Sequence, residues 1–131
     1  MKHKSPFVLL TASLLVSSQA FAYGSSGGGG GGSSCAEPQF TDERPKTDGA
    51  IQKLDRFEID VSQNTDLKTL ELEIDGVRQQ PTLTPLRSGD THIDVQLKEP
   101  RTTASRVRIT VRAKSLDGCE AFKPLYFQIQ P

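Results

Sequence analysis

The feature that most constrains this chain is a two-residue alternation of apolar and polar side chains in its C-terminal part. Five segments carry the alternation: 57–61, 70–74, 93–97, 107–113 and 125–129. Successive side chains of a β-strand point to opposite faces, so the pattern predicts half-buried strands. Shorter strands are expected at 39–41 and near 77–83, and the segment 50–54 has room for one helical turn. The sequence therefore predicts an all-β chain of about seven strands.

Glycine and aspartate separate the predicted strands. The turn signals are Asp48-Gly49, Asp75-Gly76, Ser88-Gly89-Asp90 and Asp117-Gly118. Glycine adopts positive φ at little energetic cost, and aspartate can bond its own backbone. Asp75-Gly76 directly follows a strand and is the best hairpin candidate, while Pro81 after it indicates an edge strand. Short strands with one polar face each favour a two-layer antiparallel β-sandwich.

The N-terminal segment has the features of a secretory signal. Lys2 and Lys4 precede an apolar run over 7–16, and Ala20-Phe21-Ala22 supplies small residues at the expected cleavage site. We therefore predict a signal peptide at 1–22 and no membrane span after its removal. The Gly/Ser-rich segment 23–34 is typical of a flexible linker. The predicted folded domain is 35–131.

Three segments together carry a resemblance to a known class of domain. They are Pro45–Ala50, Phe57–Ser62 and Leu70–Gly76. This order resembles the opening of bacterial immunoglobulin-like domains, where a Pro and a Gly lead into the first long strand and the next strand ends in Asp-Gly or Asn-Gly. The resemblance covers residues 38 to 131 and implies an immunoglobulin-like β-sandwich. The chain departs from the antibody type, because it contains no Trp and its two Cys lie outside the predicted strands.

Cys35 and Cys119 are the two cysteines of the chain. An even pair in an exported protein favours a structural disulfide. Such a bond would fasten the start of the domain to the last predicted hairpin. A redox-active pair is the alternative, but it usually has a Cys-x-x-Cys motif at a helix N-terminus, and neither feature is present.

Arg106, Arg108 and Arg112 share the polar face of one predicted strand. These three arginines have two interpretations. They bind a protein or anionic partner, or they pair with acidic side chains of neighbouring strands. The acidic residues considered for pairing are Glu58, Asp60, Glu71, Glu73 and Asp75. Tyr126 also has two interpretations. It recognises a peptide or carbohydrate together with these arginines, or it caps the rim of the sandwich.

Two metal hypotheses remain open from the sequence. Oxygen ligands for Ca²⁺ at one pole of the sandwich are offered by Asp60, Asp66, Asp75, Asp90 and Asp94, although no EF-hand loop is present. His92 offers an imidazole for copper or zinc. Small exported copper carriers resemble this chain in strand layout, but they bind through His and Met clusters or an N-terminal His. Here the only Met is Met1.

These observations predict a protein without enzymatic activity and without a cofactor. The 16 basic and 16 acidic residues balance, so nucleic acid is not an expected partner. The expected role is an exported binding or assembly module, located in the periplasm or outside the cell. It would recognise a protein or anionic partner through a sheet edge or the arginine-rich strand face. The alternative is a small metal-binding protein of the copper-carrier kind.

Overall fold

The computed structural model describes residues 35–131, and all of their regular structure is β-strand. The nine strands are β1 (Phe40–Arg44), β2 (Ala50–Ile51), β3 (Leu54–Val61), β4 (Thr65–Ile74), β5 (Val77–Arg78), β6 (Thr82–Pro85), β7 (Thr91–Arg101), β8 (Ser105–Ser115) and β9 (Glu120–Ile129). These residues include no helix long and apolar enough to cross a membrane. The predicted signal peptide at 1–22 and linker at 23–34 lie outside the described residues.

The strands form two sheets. The four-stranded sheet has the order β1-β3-β7-β6, and the five-stranded sheet has the order β2-β9-β8-β4-β5. The ladders are antiparallel except between β2 and β9, where Ala50 and Ile51 run parallel to Gln128 and Ile129. The predicted all-β, immunoglobulin-like sandwich is confirmed.

The core lies between the two sheets and consists of the apolar residues of the alternation. Completely buried side chains are Phe57, Ile59, Val61, Ile93, Val107, Ile109, Val111, Ala113, Phe127 and Ile129. The rings of Phe57 and Phe127 meet edge to face, with centroids 6.0 Å apart. Because every second residue points inward, the intervening polar residues lie on the two outer faces of the sandwich.

Two short segments differ from the sequence prediction. The segment 50–54 forms no helical turn, because Ala50–Ile51 joins the edge of β9 and Gln130 N–H donates to the Ile51 carbonyl over 2.8 Å. The segment 77–83 divides between β5 and β6, which belong to different sheets. A strand of two residues is too short to show a period, so alternation could not indicate either change.

The Asp75-Gly76 hairpin is confirmed. β4 and β5 pair antiparallel, and Asp75 and Gly76 have φ angles of 49° and 81°. Positive φ at both central residues is the property of a type I′ turn, whose twist matches that of the adjoining strands. The Asp75 carboxylate also accepts a hydrogen bond from the Arg108 N–H over 3.0 Å, which connects the turn to β8.

The predicted disulfide between Cys35 and Cys119 is present, with the two Cα atoms 5.7 Å apart. Cys119 lies in the turn between β8 and β9, where its N–H donates to the Ser115 hydroxyl over 3.0 Å. Ser115 is buried and its N–H donates to the Cys119 carbonyl. The disulfide therefore ties the segment before β1 to a well-bonded turn at the end of β8.

Candidate functional site

Five charged side chains lie together on the outer face of the four-stranded sheet and form what we call the β3–β7 cluster. Its members are Arg56, Glu58 and Asp60 on β3, and His92 and Asp94 on β7. The register places Asp60 opposite His92 and Glu58 opposite Asp94. The alternation that buries the apolar residues of both strands turns these side chains outward. Two central, paired strands thus hold the cluster on a fixed backbone.

His92 bridges two carboxylates. Its Nδ1 lies 2.6 Å from Asp60 Oδ1, and its Nε2 lies 3.1 Å from Glu58 Oε1. The His92 side chain is 29% exposed, so solvent screens the two contacts only in part. The hydrogen bond to Asp60 is the main cause that raises the pKa of His92, and the bond to Glu58 adds to it against the effect of burial. The protonated imidazole can donate to both carboxylates at once.

Arg56 binds the remaining carboxylate in a forked arrangement. Its Nε donates to Asp94 Oδ1 over 2.8 Å, and a terminal guanidinium nitrogen donates to Asp94 Oδ2. The same guanidinium lies 3.5 Å from Glu58 Oε1. The hydrogen bonds from Arg56 lower the pKa of Asp94, and the same bonds raise the pKa of Arg56. Glu58 is therefore shared between the guanidinium of Arg56 and the imidazole of His92.

Three members of the cluster are close enough to act as metal ligands. Glu58, His92 and Asp94 each offer one donor atom, and these atoms lie within 4.8 Å of one another. An imidazole nitrogen with carboxylate oxygens suits divalent zinc or copper. Of the five aspartates considered for Ca²⁺, only Asp60 and Asp94 belong to the cluster. The structure does not bring the five together.

The position of Glu58 beside His92 and Asp94 was missed from the sequence, where Glu58 was considered only as a partner for the arginines. The signal that could have found it is the pairing of two polar faces, Glu58 and Asp60 on one strand with His92 and Asp94 on another. That signal has meaning only when the two strands are neighbours. Alternation gives the faces of a strand but not its neighbours.

The predicted partner-binding residues lie on the opposite side of the sandwich, on the outer face of the five-stranded sheet. Arg106, Arg108 and Arg112 are exposed along β8, and Tyr126 on β9 is directly opposite Arg108. The Arg106 guanidinium lies 4.3 Å from the centroid of the Tyr126 ring. Arg112 lies in the same way 5.0 Å from the ring of Phe122, a residue that is 48% exposed.

None of the five carboxylates considered for pairing forms an ion pair with these three arginines, although Glu71 on β4 lies directly opposite Arg112. Glu71 pairs with Arg78, and Asp75 pairs with Arg101. Glu58 and Asp60 belong to the other sheet. Within residues 35–131 the three arginines make one ion pair, between Arg112 Nε and Glu120 Oε1 at 3.1 Å. Glu120 was not among the five carboxylates considered for pairing.

The fold and its surfaces define a two-sheet β-sandwich protein with a His–carboxylate cluster on one face and arginines beside aromatic rings on the other. Among solved structures the chain is similar to PcoC, described as a methionine-rich copper resistance protein from Escherichia coli. The two are 19% identical with a TM-score of 0.52, and the match covers 72% of this chain and all of PcoC. At this identity the likeness shows the fold alone. No protein-family model and no curated protein matches the sequence.

Proposed function

We propose that this chain is an exported protein without enzymatic activity that binds a divalent metal ion of the Cu²⁺ type on its four-stranded sheet. The observation that carries the proposal is the convergence of donor atoms from Glu58, His92 and Asp94 within 4.8 Å. The similarity of the fold to a copper resistance protein supports copper as the ion to test first. The ion would be carried by the protein, not used as a cofactor.

The donor set of this chain favours the oxidised form of copper. Thioether ligands select Cu⁺, but the sequence has a single Met, Met1. Both cysteines are in the disulfide and are not available as thiolates. What the described residues offer is one imidazole nitrogen and several carboxylate oxygens. Among divalent first-row ions such a set binds Cu²⁺ most tightly.

Binding of a cation at this cluster has two built-in competitors. Arg56 occupies both oxygens of Asp94 and also approaches Glu58. A proton competes for His92, because its carboxylate neighbours raise the pKa of the imidazole. The metal ion must displace both. Removal of the Arg56 charge should therefore strengthen metal binding, whereas loss of an ordinary stabilising residue would weaken it.

The experiment titrates CuCl₂ into the protein and follows binding by electron paramagnetic resonance and calorimetry. Once the predicted signal peptide at 1–22 is removed, His92 is the only imidazole of the exported chain. We expect nitrogen hyperfine coupling from one imidazole, at least tenfold weaker binding in His92→Gln, and severalfold tighter binding in Arg56→Gln.

Asp66→Asn is the matched control, because Asp66 lies outside the cluster and binds the Lys68 N–H. Its affinity for Cu²⁺ should equal that of the unchanged protein. Equal binding by His92→Gln, or weaker binding by Arg56→Gln, would contradict the proposal. A Zn²⁺ titration followed by calorimetry shows whether the same residues bind Zn²⁺ more tightly than Cu²⁺.

We also propose that the protein acts in the periplasm or outside the cell. The support is the predicted signal at 1–22 together with a disulfide, which forms in oxidising compartments. Fractionation of the producing cells, with mass spectrometry of the recovered chain, tests the location. Recovery from the cytoplasm with an intact N-terminus would contradict it.

A further inference from the structure

Two of the three arginines on β8 carry charge that the fold itself does not neutralise. Arg106 and Arg108 make no ion pair with any residue of 35–131, while Arg112 pairs with Glu120 on β9. Of the nearby acidic residues, Glu71 and Asp75 are bound to other arginines, and Glu73 lines a recess together with Arg108 but forms no ion pair with it. The Arg108 N–H is fixed by Asp75, so its backbone is held while its guanidinium stays exposed.

Aromatic rings hold part of this surface in place. The Arg106 guanidinium lies over Tyr126, and the Arg112 guanidinium lies over Phe122. Such contacts restrict the long arginine side chains before any ligand arrives, which reduces the entropy lost on binding. Tyr126 and Phe122 remain 43% and 48% exposed. We call these five residues the arginine strip: Arg106, Arg108, Arg112, Phe122 and Tyr126.

The shape of the strip restricts what it can receive. Glu71 and Glu73 lie on its β4 side and line a recess of about 90 Å³ together with Arg108 and Arg112. The acidic border repels a broad polyanion that would spread across the sheet. The row of positively charged side chains is therefore one strand wide, and it runs along β8 next to the aromatic rings of β9.

The spacing along the strip is that of an extended polypeptide. Arg106 and Arg108 are two residues apart on one strand, which corresponds to about 6.6 Å. Side chains at alternate positions of an extended peptide have the same spacing. Carboxylates at such positions would meet the two guanidinium groups in register, and each contact would be a charge-assisted hydrogen bond.

We propose that the arginine strip binds an extended acidic segment of another protein, with Asp or Glu at alternate positions facing Arg106 and Arg108. The exposed rings of Tyr126 and Phe122 flank the segment and contact its intervening side chains. The surface belongs to the five-stranded sheet, so this interaction is separate from metal binding by the β3–β7 cluster.

The test uses a nine-residue peptide of alternating Glu and Thr with blocked ends, and its Gln/Thr counterpart. Binding to the whole protein is followed by ¹H–¹⁵N NMR shifts and calorimetry at low salt. We expect shifts confined to the amides of β8 and β9, and weaker binding as salt rises. Arg108→Gln should lower the affinity about three- to fivefold, the usual effect of one exposed ion pair.

Arg87→Gln is the matched control, because it removes the same charge from the loop between β6 and β7. Its affinity for the acidic peptide should be unchanged. Arg108→Lys should recover part of the loss, and an unaltered unfolding midpoint in each variant shows that the fold is intact. Equal binding of the Gln/Thr peptide, no binding of the Glu/Thr peptide, or equal losses in Arg87→Gln and Arg108→Gln would overturn the proposal. So would a sulfated polysaccharide that binds more tightly than the peptide at the same residues.

Discussion

His92 and Asp60 lie directly opposite each other on β7 and β3, and the imidazole Nδ1 is 2.6 Å from Asp60 Oδ1. Because the register is antiparallel, a residue 32 positions away in the chain becomes the main electrostatic neighbour of the imidazole. Glu58 Oε1 completes the contact at the other ring nitrogen. The charge state of His92 is thus connected directly to the pairing of two central strands.

This relationship predicts a pH-dependent stability. The carboxylates raise the pKa of His92 in the folded protein above its ordinary value. The contacts of His92 with the carboxylates then stabilise the fold fully below pH ~6.5, which is the pKa of histidine in the unfolded chain. This stabilisation is lost as the pH rises through the pKa of His92 in the folded protein. His92→Gln should lower the free energy of unfolding by about 1 kcal/mol at pH 6 and by much less at pH 9. Urea unfolding of both proteins at the two pH values measures the difference.

Asp60→Asn provides the control, because it removes the carboxylate that contributes most to the shift. In that variant an NMR titration of the imidazole should show the pKa of His92 moving back toward 6.5. The prediction is contradicted if His92 of the unchanged protein already titrates at its ordinary value.

The disulfide predicts a large redox dependence of stability. Cys35 and Cys119 are 84 positions apart, and closing a loop of that size stabilises a fold by about 4 to 5 kcal/mol in the chain-entropy description. Reduction should therefore lower the urea midpoint strongly, while far-ultraviolet circular dichroism in buffer keeps its β-sheet form. The disulfide connects only the segment before β1 to a turn, so the two sheets keep their own ladders and core.

The double variant Cys35→Ser/Cys119→Ser tests the same prediction without reductant. Its midpoint should match that of the reduced protein and should not respond to added dithiothreitol. A midpoint that is the same in oxidised and reduced protein would show that the disulfide does not contribute to stability.

The hairpin between β4 and β5 predicts unequal responses of two glycines to alanine. Gly76 has a φ of 81° and open space around it, so the penalty of a Cβ there is one of backbone conformation alone. Gly76→Ala should lower the free energy of unfolding by about 1 kcal/mol. Gly49 has equally open space and no such φ, so Gly49→Ala should leave stability nearly unchanged. Thermal unfolding of the two variants in parallel decides the comparison.

The sequence was sufficient to predict the long strands and their inward residues. Alternation over segments such as 107–113 fixes which side chains are buried, and Val107, Ile109 and Val111 are indeed in the core. It also predicted correctly that Arg106, Arg108 and Arg112 share an outer face. These inferences need only the geometry of one strand at a time.

Inferences that needed strand order failed in part: Glu71 on β4 does lie opposite Arg112, but its carboxylate pairs with Arg78. Glu58 and Asp60 have the right faces and charges to neutralise the arginines, but β3 lies in the other sheet and its acidic residues bind Arg56 and His92 instead. The order of strands depends on how the long connections and the core pack, and no local pattern records it. The β3–β7 cluster could not be seen in the sequence for the same reason.

The pair of Phe57 and Phe127 predicts a coupling across the core. The two rings come from different sheets, are completely buried, and meet at an interplanar angle of 67°. Phe57→Leu and Phe127→Leu should each lower the free energy of unfolding by about 1 to 2 kcal/mol. In the double variant the loss should fall short of the sum by about 0.5 to 1.5 kcal/mol, because the edge-to-face contact can be lost only once. Phe122→Leu, on the exposed outer face, should change stability by less than about 0.5 kcal/mol. Losses that simply add would show that the two rings pack against their own sheets and not against each other.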